Sequence, residues 1–202
     1  KNSPAGTYKG IIPVDFAGRP VNLERLKKIT NEYGLWIIED ACHAPGASFA
    51  DSKGEFQKSG NGKFADLAIF SFHPVKHIAT GEGGMITTNS LNLYNKLLSL
   101  RSHGITRDQS RFQNSIIQAG GSSTDTEYPG WYMEMQELGY NYRITDFQCA
   151  LGISQLKRAN EGLEKRKDIA KRYDLAFQNK KGLLSPSLEI DSNFKDNHAY
   201  HL

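Results

Sequence analysis

Apolar residues in the first hundred positions alternate between short unbroken runs and a three- or four-residue rhythm. Gly10-Ile11-Ile12-Pro13-Val14-Asp15 is a brief apolar run closed by a carboxylate, the pattern of a buried strand. Leu23, Leu26, Ile29 and Tyr33 then recur at helical spacing. Residues 22–33 therefore read as an amphipathic helix, with Asn22 as its N-cap and Gly34 just beyond its end. Leu35-Trp36-Ile37-Ile38-Glu39-Asp40 is a second buried strand. Strand, helix and strand in a stretch of roughly 30 residues form a βαβ unit. Such a unit implies the α/β class, with a mainly parallel sheet covered by helices on both faces.

The pattern continues more loosely. Residues 64–72 and 84–88 read as strands and residues 91–100 as a helix. From His103 to Leu138 the chain is rich in Gly, Ser, Gln and Thr and is broken by Trp131-Tyr132. A loop of that length marks a functional lid, a partner contact or disorder. Thr145-Asp146-Phe147-Gln148 has the capping-box pattern and opens a helix over 146–159, followed by a second helix over 161–178 with a charged face.

Composition narrows the picture. The 202 residues are 38% hydrophobic and include 19 glycines, which suits a soluble globular protein with tight loops. No apolar run approaches the roughly 20 residues that a membrane-spanning helix needs. Net charge is +3, and the densest basic cluster, Lys157 to Arg172, is interleaved with Glu161, Glu164 and Asp168. That is a solvated helix face rather than a nucleic-acid surface. Cys42 and Cys149 stand far apart with no CxxC spacing, which points to a reducing cytoplasmic setting. The opening Lys1-Asn2-Ser3-Pro4 has no initiator Met and no leader pattern, and His198-Ala199-Tyr200-His201-Leu202 reads as the start of a strand. The expectation is a segment of a longer protein.

In open parallel sheets ligands gather beyond the carboxyl ends of the strands, where Asp40, Ser71 and Lys76 fall. A lysine in water is protonated and non-nucleophilic, and desolvation or a neighbouring cation frees its amine. Asp40 is either a loop or cap acceptor or a carboxylate facing the ring nitrogen of pyridoxal phosphate. His43 packs beside the same ring or is an ordinary structural histidine. Ser71 has a hydroxyl suited to a phosphate. His73 and His77 flank Lys76, but no third ligand has suitable spacing, and a metal site is set aside. Gly81, Gly83 and Gly84 let backbone approach a bound group, or make a turn.

Taken in order, Glu39-Asp40-Ala41-Cys42-His43-Ala44, Ser71-Phe72-His73-Pro74-Val75-Lys76, Gly81-Glu82-Gly83-Gly84 and Gly139-Tyr140-Asn141-Tyr142-Arg143-Ile144-Thr145-Asp146 resemble the four motifs of the DegT/DnrJ/EryC1/StrS sugar aminotransferases. The resemblance runs from Ile11 to about residue 178. It implies the fold-type I architecture, pyridoxal 5'-phosphate as cofactor, and a homodimer with shared active sites. Residues 1–160 would then belong to the large cofactor-binding domain, and 161–202 to a connecting helix and the start of the small domain. The resemblance further implies that Lys76 holds the cofactor as a Schiff base and shuttles the proton. Asp40 would pair with the pyridine nitrogen, His43 lie beside the ring, and Ser71 hold the phosphate. Asn141, with Arg143, would reach the cofactor phosphate of the neighbouring subunit.

Arg101-Ser102-His103-Gly104-Ile105-Thr106-Arg107 and Trp131 to Tyr140 look most like one branch of that family. That branch moves an amino group from glutamate to C4 of a UDP-linked 4-keto-6-deoxy-N-acetyl-hexosamine in pseudaminic acid biosynthesis. Trp131 and Tyr132 would then face sugar or nucleotide, or else belong to a dimer-contact or packing loop. Three alternatives remain: amination of another nucleotide-linked 3- or 4-keto sugar, a dehydratase, and a non-catalytic relative that binds cofactor or nucleotide sugar. Dehydratase relatives carry histidine in place of the lysine, and non-catalytic ones lose the lysine or the aspartate. This chain keeps both. The family also carries an N-terminal phosphate-binding turn and a C-terminal small domain, and the expectation is that the 202 residues hold only the start of the latter.

Overall fold

The computed structural model describes residue 4, residues 6–183 and residues 193–195, so the strand expected at 198–202 lies outside the described residues. The chain divides into two compact units, residues 1–89 with 144–202, and residues 90–143.

The first unit is built on the βαβ unit. Strand β1 (Gly10–Ile11) leads to helix α1 (Leu23–Tyr33) and back to strand β2 (Trp36–Asp40). Helix α1 starts where the Asn22 side chain accepts the Arg25 N–H and stops at Gly34, whose φ of 64° suits glycine. Leu23 and Leu26 on α1, Ile37 on β2, and Phe49, Phe64 and Ala65 share one apolar core. Full burial of side chains the size of Ile37 or Phe49 stabilises by roughly 1.5–3 kcal/mol each.

Strands β1 and β2 are parallel, Gly10 opposite Trp36, and a further bridge joins Val14 to Asp40. Strand β5 (Leu67–Ser71) lies parallel on the other side of β2, with Asp40 opposite Ile69. Strand β6 (Gly84–Thr87) completes the order β1-β2-β5-β6 but runs antiparallel, Ser71 opposite Gly84. The departure from a uniformly parallel sheet has a simple cause. The residues between Ser71 and Gly84 form the loop carrying Lys76 and hold no helix, and bonds from the Phe72 N–H to Gly83 O and from the Thr80 N–H to Phe72 O turn the chain back beside itself.

A second sheet, not anticipated, joins β3 (Ser48–Ala50), β4 (Phe56–Lys58) and β9 (Phe194–Lys195) in the order β4-β3-β9. Its hairpin turns on Asp51, whose Oδ1 accepts the Lys53 and Glu55 N–H groups at 3.0 Å each, and on Gly54 at φ 78°. Helices α3 (Asp146–Lys157) and α4 (Ala159–Phe177) follow, meeting at Arg158. The capping box at Thr145 and Gln148 is formed. No helix among the described residues is long and apolar enough to cross a membrane.

The second unit begins with α2 (Leu91–Arg101), capped by Ser90, and contains a two-stranded pairing of β7 (Ile105–Thr106) with β8 (Glu134–Met135). The stretch read as a long loop is organised around one carboxylate. Glu134 is buried and accepts from the Gln113 N–H at 2.7 Å, the Asn114 N–H at 3.1 Å, the Tyr132 hydroxyl and the Gln136 side chain. These bonds outweigh its desolvation and hold its carboxyl below the usual range.

Candidate active site

Strand register decides what gathers at the sheet's mouth. Asp40 is the last residue of β2 and Ser71 the last of β5, two parallel strands that are direct neighbours. Asp40 is stitched into place by its own backbone: its N–H donates to Pro13 O at 2.8 Å and its carbonyl accepts the Asp15 N–H at 3.0 Å. Its Oδ1 accepts the Cys42 N–H at 3.1 Å, closing a tight turn just past the strand.

Lys76 sits on the loop between β5 and β6. That loop is pinned at its base where Phe72 N–H donates to Gly83 O at 2.8 Å and Thr80 N–H to Phe72 O at 2.9 Å. Lys76 N–H donates to His73 O at 2.9 Å, so the lysine ends a local turn, and it is half-buried while His73, Pro74 and Val75 are exposed. Gly83 has φ 150°, and a Cβ there would meet Thr80 Oγ1 at 2.8 Å. The glycine run is therefore required by the loop's closure, whatever ligand it also admits. Helix α3 reaches the same loop: Gln148, besides closing its capping box, donates from Nε2 to Glu82 O at 2.7 Å. Gln148→Ala is expected to lower stability by about 1–2 kcal/mol, more than an ordinary cap loss. The denaturant midpoints of the two proteins check this.

Two side chains beside the site were not singled out for it from the sequence. Cys42 has its thiol pushed up to about 12, first by burial and then by the Asp40 carboxylate, while the Lys76 ammonium acts the other way. Cys42 is thus a neutral thiol within electrostatic reach of both Asp40 and Lys76. Glu39 precedes Asp40 but points into the interior, almost fully buried. Its buried partner Asp15 also escaped notice. Alternation along a strand sends Glu39 and Asp40 to opposite faces, and only the tertiary pairing with Asp15 reveals what the inward face holds.

His43 directly follows Cys42, its Nδ1 accepting the Ala17 N–H at 3.3 Å and its ring tilted against Phe16 at 5.8 Å. Ser71 Oγ accepts the His73 N–H at 3.3 Å, and a hydroxyl used in that way still has its own proton to donate. The structure therefore brings Asp40, Ser71, Lys76 and His43 onto the mouth of one sheet. A carboxylate, a hydroxyl donor, an amine and an imidazole form a donor set that fits pyridoxal phosphate: ring nitrogen, phosphate, aldehyde and ring edge. A cavity of about 500 Å³ in the same unit is lined instead by Phe70, His77 and Ile78 with residues of α3 and α4, and Asp40, Ser71 and Lys76 are not on its wall.

Asn141, Arg143, Trp131 and Tyr132 belong to the second unit. Asn141 bridges to Ser102 and is exposed, flanked by the stacked rings of Tyr140 and Tyr142 at 4.8 Å. Arg143 is exposed. Trp131 is 70% exposed, whereas Tyr132 packs edge-on to Phe112 and stacks on Tyr128. The two aromatic neighbours thus differ: Trp131 is mostly exposed and meets the Tyr132 ring edge-on at 6.2 Å, whereas Tyr132 is a packing residue that also bonds Glu134.

Comparison with known proteins bears on the family. The sequence model of the DegT/DnrJ/EryC1/StrS aminotransferase family matches residues 4–202. A UDP-4-amino-4,6-dideoxy-N-acetyl-beta-L-altrosamine transaminase of Campylobacter jejuni is 42% identical over 165 residues, 82% of this chain and 37% of that protein. The solved Helicobacter pylori PseC, an aminotransferase involved in the biosynthesis of pseudoaminic acid, superposes with a TM-score of 0.69 at 32% identity, covering 86% of this chain and 39% of its own. A Streptococcus pneumoniae protein described as a sugar aminotransferase, solved in a PLP form, superposes with a TM-score of 0.69 at 26% identity, covering 95% of this chain and 46% of its own. This chain spans less than half the length of each.

Proposed function

The chain belongs to the DegT/DnrJ/EryC1/StrS aminotransferase family, and from that membership we propose that the protein containing it transfers an amino group from glutamate to C4 of a UDP-linked 4-keto-6-deoxy-N-acetyl-hexosamine, using pyridoxal phosphate. The observation that carries the reading is the convergence of Asp40, Ser71 and Lys76 at the carboxyl ends of β2 and β5 and on the loop that follows. Relatives named for the altrosamine and pseudoaminic acid pathways support the choice of sugar.

Bound pyridoxal phosphate supplies an electron sink for the carbon that gives up its proton. The chain's own residues do the rest. Asp40 would face the ring nitrogen, where a carboxylate favours the protonated ring. Lys76 would hold the cofactor through Nζ and, as the amine of the site, would serve as the group that carries the proton. Ser71 donates its hydroxyl proton to the phosphate. His43 holds the ring's edge, its Nδ1 already committed to the Ala17 N–H. Asn141 and Arg143 extend to the cofactor phosphate of a second copy in a cytoplasmic homodimer, and the exposed face of Trp131 packs on sugar or nucleotide.

The test uses the full-length protein with glutamate and a panel of UDP- and dTDP-linked 3- and 4-keto sugars. The expected product carries the new amine at C4 of the UDP-N-acetyl sugar. Amination at C3, or of dTDP sugars alone, would overturn the substrate and leave the reaction class standing.

A further inference from the structure

Behind Asp40, on the inward face of the sheet, two carboxyl groups meet in the interior. Asp15 is 0% exposed and Glu39 1%, and their carboxyls are hydrogen-bonded to each other. Asp15 is otherwise fully engaged as an acceptor: Oδ1 takes the Val21 N–H at 2.8 Å and Oδ2 takes the Ser59 hydroxyl at 2.7 Å. Glu39 accepts the Gly60 N–H at 2.9 Å through Oε2, and the Ser59 hydroxyl, whose proton goes to Asp15, also lies within its reach. No ion pair among the described residues involves either group, and the nearest further charge acting on Asp15 is the Asp40 carboxylate. Two buried carboxyls in contact cannot both be charged, so they share one proton. The donors point to its holder. Asp15 already receives a hydroxyl and an amide, as a carboxylate should, and Glu39 is left to supply the proton between them.

The pair anchors more than itself. Asp15 opens the turn Phe16–Gly18, in which Ala17 sits at φ 54°, a left-handed conformation unusual for alanine. From this one turn the Asp15 N–H holds the Asp40 carbonyl, and the Ala17 N–H holds His43 Nδ1. We infer that Glu39 is a positioning residue of the candidate site: as a neutral carboxylic acid it donates to the Asp15 carboxylate, and the pair sets the turn whose backbone orients both Asp40 and His43. The role rests on the cofactor site proposed above.

Burial first, and then the charge of Asp15, push Glu39 up to about 8. The folded state thus binds a proton that the unfolded chain releases near 4.5, and stability falls as pH rises across that window. Above about 8 a second buried carboxylate appears beside Asp15, and the turn loosens.

The experiment compares wild type, Glu39→Gln and Glu39→Leu as full-length proteins, reading pyridoxal phosphate affinity from pH 6 to 10, on the order of two units either side of the expected transition. Glutamine keeps a donor toward Asp15 and cannot ionise. Its affinity should stay within about threefold of wild type at neutral pH and lack the component of the alkaline fall that centres near 8. Leucine should weaken affinity roughly 10- to 100-fold. A purely structural role would lower stability without changing the pH profile. Matching profiles in wild type and Glu39→Gln, or unchanged affinity in Glu39→Leu, overturn the inference. The acid proton itself is read without cofactor, as the infrared carbonyl stretch of a protonated carboxyl present in wild type at neutral pH and missing in Glu39→Gln. Absence of that band in wild type also overturns it. If wild type takes up no pyridoxal phosphate, the proposed function falls and the positioning role with it, whereas binding indifferent to Glu39 sinks the positioning role alone.

Discussion

Replacing Lys76 by alanine in the full-length protein is expected to abolish both the absorbance band of bound pyridoxal phosphate near the visible edge and the amino transfer. Two contributions are lost together. Covalent attachment needs a primary amine, and alanine has none. Proton transfer by a positioned group is worth about 10²- to 10⁴-fold, so turnover should fall by at least about 10³-fold once attachment is lost as well. Arginine is the sharper control. It keeps the positive charge and much of the length but cannot act as a nucleophile. Lys76→Arg should therefore be as inactive as Lys76→Ala, which separates chemistry from electrostatics. The loop should survive both changes, because its base is closed by backbone bonds of Phe72, Thr80 and Gly83 and by Gln148 on the Glu82 carbonyl. Comparable melting temperatures would verify that. Retention of the absorbance band in Lys76→Ala would defeat the assignment of this lysine.

What could be read from the sequence was whatever depends on neighbours along the chain. Asn22 and Gly34 bound α1 because caps are local chemistry. Thr145 and Gln148 announce α3 for the same reason. The strand ends at Asp40 and Ser71 were legible because a buried strand ends where an apolar run ends. The strand at β6 was legible but its direction was not, because the backbone bonds that turn the loop back on itself join Phe72 to Gly83 and Thr80. The β3–β4 hairpin had a signal, Asp51-Ser52-Lys53-Gly54 between two short strands, but three-residue strands carry too little periodicity to draw attention to it. The order within 103–138 had none, because Glu134 gathers amides about 20 positions upstream. The Asp15–Glu39 pair was likewise hidden. Each carboxylate ends or interrupts an apolar run, and nothing local says that they meet.

The second large effect is expected at Asp40, and it is chemical rather than structural. Asp40→Asn preserves size and keeps an oxygen for the Cys42 N–H, and the backbone bonds to Pro13 and Asp15 do not involve the side chain. The fold and the cofactor site should therefore persist. What disappears is the negative charge that, in the proposed role, would keep a proton on the ring nitrogen and with it the capacity of that ring to accept electrons. Loss of one preorganised charge in a site of this kind costs on the order of 10²- to 10³-fold in turnover. The expected split is a fall in kcat with cofactor occupancy largely retained, the reverse of the Glu39→Leu result, in which occupancy fails first. A second readout needs no cofactor. The Asp40 carboxylate is one of the causes raising the Cys42 thiol to about 12, so its neutralisation should lower that thiol's pKa while burial still holds it above the ordinary value. Faster alkylation of Cys42 at alkaline pH, measured with Cys149 replaced by serine, would report this shift. Asp40→Asn with unchanged turnover would remove the electrostatic role, and with unchanged Cys42 reactivity it would remove the proximity on which that role depends.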